Sequence, residues 1–206
     1  LDQTHFRWRS DNDSEILAAW KRAEDNAHSG QKRSENVRLR FSIKNTGAAA
    51  TQGRSYVLQV APQGGYSTCE SVPSESYSDV PTTTAGCGSS VACMTTSTQF
   101  TNQEATTTQL TATGTFVAGK MVEDPSNESD AIAINANYYT EHEYNFQFTS
   151  NALNNTNYCF RLTKQGILLD SYAKVAQITI ESTGMESNLL NRLKGALRIK
   201  GGTRIK

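Results

Sequence analysis

The stretch Asn36-Val-Arg-Leu-Arg-Phe-Ser-Ile-Lys44 decides the fold of this 206-residue chain. Its apolar and polar residues alternate, so every second side chain lies on the same face of an extended segment. Asn45-Thr-Gly47 follows directly, and Asn and Gly are typical turn residues. The stretch is therefore predicted to be a β-strand that places Val37, Leu39, Phe41 and Ile43 in a core.

The same alternation recurs along most of the chain, and turn residues come about every ten positions. This pattern predicts an all-β protein, an antiparallel sandwich formed by a single domain. Because each strand has one apolar face, one side of each sheet is expected to face solvent. The further strand candidates are 54–61, 142–149, 158–162 and 171–180, with shorter ones at 4–9, 116–122 and 131–135.

Two stretches do not follow the strand pattern. Residues 14–25 have helical spacing and are expected to form a short helix or an irregular strand. Residues 67–115 are rich in Ser and Thr and contain three of the four cysteines. A plain loop of that length is improbable in a compact domain, so we expect an irregular insertion with an edge strand near 105–113. The sandwich domain is assigned to residues 1–184 and a C-terminal tail to residues 185–206.

The cysteines favour disulfides over a metal site. They lack Cys-x-x-Cys spacing and have no histidine close by in sequence. Disulfides form in oxidising compartments, which predicts a secreted or cell-surface protein. Cys87 and Cys93 close a short loop and could pair, leaving Cys69 with Cys159. The sequence leaves all three possible pairings open.

Residues Leu153-Asn-Asn-Thr-Asn-Tyr158-Cys-Phe160-Arg-Leu162 resemble the tyrosine corner and following strand of a fibronectin type III or immunoglobulin-like sandwich. The resemblance implies that the last strands of the chain follow that fold. In the immunoglobulin pattern the cysteine stands two residues after the tyrosine, whereas Cys159 follows Tyr158 directly. Cys159 therefore points away from the core face, and we expect it to pin the insertion onto the outside of the sheet.

The N-terminal region carries a second resemblance. His5-Phe-Arg-Trp-Arg9 is followed by the acidic turn Asp11-Asn-Asp-Ser-Glu15 before the first long strand. This order is similar to that in sandwich modules of bacterial surface or filament proteins. The resemblance implies a secreted location and no known activity.

The sequence contains few candidate catalytic or metal-binding residues. Asp11, Asp13 and Glu15 have oxygen-rich spacing and are weak calcium candidates, but the segment lacks the glycine and distal glutamate of an EF-hand loop. A solvated turn is the preferred interpretation. In Glu141-His142-Glu143, strand alternation puts the carboxylates on one face and the imidazole on the other, so three ligands do not converge. No nucleophile elbow, phosphate loop or His-Glu-x-x-His motif occurs. We expect no enzyme activity, no metal and no cofactor.

The last fifteen residues repeat with a period of six, which returns each repeat to the same face of a strand. Residues 192–206 carry a charge of +6, whereas residues 1–191 hold fourteen basic and twenty acidic residues, a net charge of −6. This division favours association between the tail and the body of the protein. The basic face is formed by Arg192, Lys194, Arg198, Lys200, Arg204 and Lys206, and the opposite face by Leu193, Leu197, Ile199, Thr203 and Ile205.

An amphipathic strand without a partner predicts self-assembly. We expect an extracellular structural subunit that forms a homopolymeric filament, each copy donating its tail strand head to tail to a neighbour. The tail could instead fold back onto its own sheet, or serve as a disordered basic tail or a linker within a longer repeat protein. The main alternative function is an adhesin that binds a glycan or protein through residues 67–115. Zero overall charge argues against a nucleic-acid partner, and no apolar run is long enough to span a membrane.

Overall fold

The computed structural model describes residues 1–182, and all structural statements below refer to them. The chain is all-β, as predicted, with two short 3₁₀ turns at Cys69–Ser71 and Ser74–Ser76. Its eleven strands are β1 (Asp2–Ser10), β2 (His28–Gln31), β3 (Val37–Lys44), β4 (Tyr56–Pro62), β5 (Ser78–Asp79), β6 (Ala92–Met94), β7 (Thr115–Val122), β8 (Tyr138–Phe148), β9 (Asn157–Lys164), β10 (Ser171–Tyr172) and β11 (Ala176–Ile180).

The strands form two sheets. The first has the order β10-β1-β3-β8-β6, and β7 also pairs with β8. The second has the order β2-β11-β9-β4-β5. Long antiparallel ladders, β1 with β3, β3 with β8 and β4 with β9, form the centre of each sheet.

The expected antiparallel arrangement is wrong in one respect, because both sheets are mixed. Strand β1 runs parallel to β10, β2 parallel to β11, and β7 parallel to β8. The first two pairings join strands from opposite ends of the chain, whereas β7 and β8 are consecutive and are connected by residues 123–137. Alternation within a strand reports which face is buried and carries no information about the direction of its neighbour.

Aromatic and branched side chains from both sheets fill the core. Trp8 lies 6.3 Å from Phe146 and 5.8 Å from Phe160, in edge-to-face contacts. Phe146 and Phe160 stack with ring centroids 4.8 Å apart. Burying each such ring contributes about 1.5–3 kcal/mol. The four apolar residues of β3 that the sequence assigned to the core are all fully buried.

The loop before β9 has the hydrogen bond that characterises a tyrosine corner. The backbone N–H of Leu153 donates to the hydroxyl oxygen of Tyr158 at 2.9 Å. Tyr158, Phe160 and Leu162 are buried in the core, as their alternation predicted. The contact ties the loop at residues 151–156 to the strand that follows it.

Two disulfides join Cys69 to Cys159 and Cys87 to Cys93. Cys159 points away from the core and belongs to a separate small apolar cluster that includes Cys69 and Val175. The expectation that Cys159 pins the insertion to the outside of its sheet is thus confirmed.

The prediction that one side of the first sheet faces solvent is wrong. Arg38, Arg40 and Ser42 point away from the core, yet each is fully buried. Residues 11–25 and 95–111 cross this outer face and cover it. Alternation alone cannot distinguish a polar face in water from a polar face under a loop.

Three shorter expectations also need correction. Residues 14–25 form turns and one bridge, between Trp20 and Arg9, and no helix. Neither 105–113 nor 131–135 is a strand, because each contributes one isolated bridge, Ala105 to Lys120 and Ile132 to Arg54. The conformation of segments this short is determined by the residues packed around them rather than by their own alternation of apolar and polar residues.

Candidate functional site

The residues expected to carry assembly lie outside the described residues. The same holds for the boundary between the sandwich and the tail at residues 184 and 185. The described residues therefore inform the acceptor side of the expected contact. An added strand would pair with an edge of one of the two sheets, so the edges are described in turn. The residues concerned are Arg192, Leu193, Lys194, Leu197, Arg198, Ile199, Lys200, Arg204, Ile205 and Lys206.

Both borders of the first sheet are covered by backbone hydrogen bonds. On the β1 side, the N–H of Lys21 donates to Trp8 and that of Asp25 to Phe6, both at 2.9 Å. On the β7 side, the N–H of Met121 donates to Glu104 at 2.8 Å. Residues 11–27, the connector between β1 and β2, and the insertion thus occupy much of the backbone that another strand would need.

The second sheet ends in β2 on one side. Strand β2 pairs with β11 and has two exposed residues, Ser29 and Gly30. Its neighbourhood is basic: burial together with the charges of Lys21 and Arg22 lowers the pKa of His28 to about 4. A positively charged strand would meet repulsion at this edge.

The other border of the second sheet is acidic. Alongside β4 lie Ser78–Asp79 and residues 127–132, with Asp79 opposite Gln59 and Glu128 opposite Val57. Asp79, Glu128 and Asp130 are all exposed. We call residues 78–79 and 127–132 the acidic edge.

The Asn127 side chain holds the two parts of the acidic edge together. Its Nδ2 donates to the carbonyls of Leu58 and Val80 at 2.9 and 2.7 Å, and its Oδ1 accepts from the N–H of Leu58 at 3.1 Å. The amide replaces backbone partners at the point where β5 ends. This border is therefore defined by fixed contacts even though its strand is only two residues long.

A buried charge network occupies the outer face of the first sheet. Arg40 donates from Nε to Glu143 at 2.6 Å and from Nη1 to Glu141 at 2.9 Å, and it also contacts Glu15. Burial alone lowers the pKa of Arg40, but the three carboxylates outweigh it and raise the pKa above its usual value. Arg40 is therefore charged at any physiological pH.

The same network holds the connector in place. Burial raises the pKa of Glu15, but Arg40 and the Thr107 N–H outweigh it and hold the pKa below its ordinary range. Arg38 donates to Asp11 at 2.7 Å, and the guanidinium of Arg9 lies 4.2 Å from the ring centroid of Trp20. Every carboxylate here has an arginine partner, so the network holds the loops in position.

The structure does not bring the weak calcium candidates together. Asp11 binds Arg38, and Glu15 binds Arg40. The side-chain oxygen of Asp13 accepts from the N–H of its neighbour Ser14 at 2.7 Å. The preferred interpretation of a solvated turn is wrong in part: the segment bends, but the side chains of Asp11 and Glu15 are only 6% and 5% exposed and are neutralised by buried arginines.

His142 lies in the core, on the face opposite Glu141 and Glu143, as the alternation predicted. Its Nδ1 accepts a hydrogen bond from the N–H of Lys120 at 3.2 Å, and its ring centroid lies 4.8 Å from that of Tyr56. Burial, with smaller contributions from Arg40 and Lys120, lowers its pKa to about 3. The imidazole is therefore neutral at physiological pH.

Sequence reasoning missed one group of potential ligands. His5, Glu24 and Asp25 are half-buried, and one ligand atom from each lies within 4.8 Å of the others. Glu24 and Asp25 are adjacent in the chain, but His5 is nineteen positions before Glu24, on β1. No spacing rule connects residues that meet only because the connector folds back along β1.

Two surface cavities flank the loop closed by Cys87 and Cys93. One, of about 320 Å³, is lined by Ser34, Thr83, Thr95, Gln147 and Thr149 together with the two cysteines. The other, of about 380 Å³, includes Ser78, Ser89, Ser90 and Val91 in its lining. Both are rich in hydroxyl groups, and the insertion contributes residues to the lining of both.

Comparison with known proteins assigns no family to the chain, so its class is defined by its structure. No family model matches the chain, and comparisons with curated proteins and with solved structures find no match. The fold places it among all-β proteins with two mixed sheets and two disulfides. Within residues 1–182, no helix has the length and apolarity needed to cross a membrane.

Proposed function

We propose that the protein is an extracellular structural subunit that forms filaments by strand addition. Residues 192–206 of one copy add to the acidic edge of the next copy. The observation that carries this proposal is the acidic edge itself, a short sheet border with exposed carboxylates in a chain whose tail has a charge of +6. The hydrogen bond of Tyr158 and the two disulfides support the wider proposal of a secreted, immunoglobulin-like or fibronectin type III-like module.

The position of β11 supports a remote partner for the tail. This strand is the last described one, and it already has β9 on one side and β2 on the other. A strand that follows it cannot pair beside it and must reach an outer border. Residues 183–206, if extended, can reach up to about 80 Å, which is enough for a neighbouring copy.

Charge distinguishes the two borders of the second sheet. The acidic edge offers Asp79, Glu128 and Asp130, whereas the neighbourhood of β2 contains Lys21 and Arg22. The alternating Arg and Lys side chains of the tail would lie along the acidic edge on one face. Opposite charges across strands stabilise pairing, and like charges disfavour it.

The order of strands supports a head-to-tail contact. Strands β9 and β4 separate β11 from the acidic edge, so the tail leaves the sheet near one border and the acceptor lies at the other. A contact between two different surfaces does not close on itself in a pair and extends into a filament when its rotation does not form a ring.

Truncation after Ser187 tests the proposal. We expect the full chain to form polymers visible by electron microscopy and sedimentation, and the truncated chain to remain a folded monomer with an unchanged β-sheet circular dichroism spectrum. Polymers from the truncated chain would overturn strand donation. A truncated chain that unfolds would show that the tail is a strand of its own sandwich.

A variant of the acidic edge tests the acceptor. Asp79→Asn, Glu128→Gln and Asp130→Asn together should lower polymer yield while the monomer stays folded. The matched control is Glu35→Gln with Glu181→Gln, which neutralises exposed acids near β2. If the control reduces assembly and the acidic-edge variant does not, the acceptor is β2.

The two hydroxyl-rich cavities favour a second candidate function, an adhesin that binds a glycan or a protein segment through the insertion. A full-length chain that stays monomeric at micromolar concentration and binds immobilised glycans would favour this function. Thr83→Val with Thr149→Val should then weaken binding, since both residues line the cavity of about 320 Å³ beside Cys87.

A further inference from the structure

We propose that His5, Glu24 and Asp25 bind a divalent metal ion of the zinc class. The Nδ1 atom of His5 lies 3.1 Å from Oε1 of Glu24 and 2.8 Å from Oδ2 of Asp25. Donors bound to tetrahedral zinc at 2.0–2.2 Å lie about 3.3 Å apart. Because all three donor atoms lie within 4.8 Å of one another, small rotations of the side chains would bring them to this spacing around an ion.

The chemistry of the donors selects the metal. One imidazole nitrogen and two carboxylates are ordinary zinc ligands, and three protein donors leave a fourth position for water. Calcium prefers six to eight oxygen ligands, which this group does not supply. The side chains are 30%, 20% and 20% exposed, so an ion can enter from solvent.

The charge of the group favours a cation. Within residues 1–182, the only salt-bridge partner of Glu24 and Asp25 is His5, which carries a charge only when protonated. In contrast, Glu141 and Glu143 have Arg40 as a permanent counter-ion. With a neutral imidazole, the two adjacent carboxylates lack a neutralising partner, and a divalent ion would supply one.

Backbone N–H groups hold the carboxylates in position. The N–H of Phe6 donates to Oδ1 of Asp25 at 3.0 Å, which leaves Oδ2 directed at His5. The N–H of Thr111 donates to the two carboxylate oxygens of Glu24 at 3.1 and 2.9 Å. Such outer contacts orient metal ligands. The ion would thus connect β1 to the connector, and the Thr111 N–H would link Glu24 to the insertion.

Zinc titration of the full chain tests this site. The protein is treated with a chelator, and binding of zinc sulfate is measured by isothermal titration calorimetry. We expect one ion per chain with micromolar or tighter affinity. His5→Ala and Asp25→Asn should each weaken binding at least about tenfold, by loss of a ligand. Glu35→Gln, which neutralises an exposed acid outside the group, should bind as the unchanged chain does.

Spectroscopy identifies the ligand. In ¹H–¹⁵N correlation spectra of the imidazoles, zinc should shift the Nδ1 signal of His5 and leave His28 and His142 unchanged, because both are buried elsewhere. If the chain polymerises, visible absorption of bound Co²⁺ replaces this measurement and should disappear in His5→Ala. Undiminished binding by His5→Ala, or no binding up to millimolar zinc, would overturn the proposal. Neither result depends on filament formation.

Discussion

Arg40 is the residue on which the outer face of the first sheet depends. It is fully buried and contacts three carboxylates that come from the connector and from β8. A buried ion pair adds little net stability compared with apolar residues, because removing both charges from water is costly. Removing one partner is different, since the remaining charges are then buried without compensation.

We therefore expect Arg40→Met to lower the free energy of unfolding by about 3–5 kcal/mol. The matched control is Lys164→Gln, which removes a surface pair with Asp170, itself 66% exposed, and should cost about 1 kcal/mol or less. Urea denaturation followed by fluorescence measures both values. Equal effects of the two variants would contradict the assigned role of Arg40.

His142 makes stability depend on pH. Its pKa of about 3 in the folded protein lies below the ordinary value of 6.5. Below pH 6.5 the unfolded chain binds a proton that the folded protein does not, so stability falls as pH decreases toward 3. For this residue alone the loss between pH 7 and pH 4 is about 3 kcal/mol.

His142→Leu should remove this contribution and leave that of the carboxylates. Denaturation of both proteins at pH 7, 6, 5 and 4 should give curves that converge as pH falls, the unchanged chain losing about 3 kcal/mol more than the variant. Parallel curves would show that His142 takes up its proton at the same pH in the folded and the unfolded chain, and would contradict the lowered pKa.

At the residue scale, the sequence predicted which side chains share a face and missed what covers them. The alternation in β3 placed Arg38 and Arg40 opposite the core correctly. It could not show that the face is buried, because the covering residues come from distant segments such as Thr107. The same limit hid the group at His5, whose ligands meet through the fold.

At the element scale, the two disulfides close loops of very different length. Cys69 and Cys159 are 90 residues apart, whereas Cys87 and Cys93 are six apart. In the chain-entropy model, a cross-link stabilises by restricting the unfolded chain, and more so for a longer loop. Replacing the long-range pair by alanine should therefore cost about 2 kcal/mol more than replacing the local pair.

Thermal or urea unfolding of the two double variants measures this difference. Hydrogen exchange adds a structural control: loss of the Cys69–Cys159 bond should speed exchange in residues 68–77 and leave β3 unchanged. If the local pair proves the more important one, the order of the two effects contradicts the model.

Strand β7 approaches β8 so closely that position 119 requires glycine. A Cβ atom there would lie 2.0 Å from the carbonyl oxygen of Glu141. Gly119→Ala should destabilise the protein by about 1–3 kcal/mol or more, because backbone must move. Gly65→Ala is the matched control, since its Cβ would meet nothing within 4 Å. It should change stability by less than about 1 kcal/mol.

The elements show where sequence reasoning is reliable. Strand β3, with strict alternation, was predicted within one residue of its observed bounds, because burial of one face determines them. Strand β8 was predicted at 142–149, but it begins four residues earlier, at Tyr138. Strands of two to four residues, such as β2, β5 and β6, were not identified, because their extended conformation comes from the neighbour with which they pair. The strands β10 and β11 were predicted as a single strand at 171–180. Parallel pairing was missed for the same reason.

At the scale of the whole molecule, the opposite charges of body and tail make assembly sensitive to salt. The screening length falls from about 10 Å at 0.1 M salt to about 3 Å at 1 M. Polymer yield of the full chain should decrease over this range, as measured by sedimentation. The triple variant of the acidic edge should show a weaker dependence. Polymer that increases with salt would indicate an apolar contact instead.

The pairing of first and last strands has a consequence for how the protein is made. β1 pairs with β10, β2 pairs with β11, and the indole N–H of Trp8 donates to the carbonyl of Gln177 at 3.0 Å. Neither sheet can be completed until the ribosome has added residues near position 180. For most of its synthesis, at about 5–20 residues per second, the nascent chain therefore lacks strands that both sheets need.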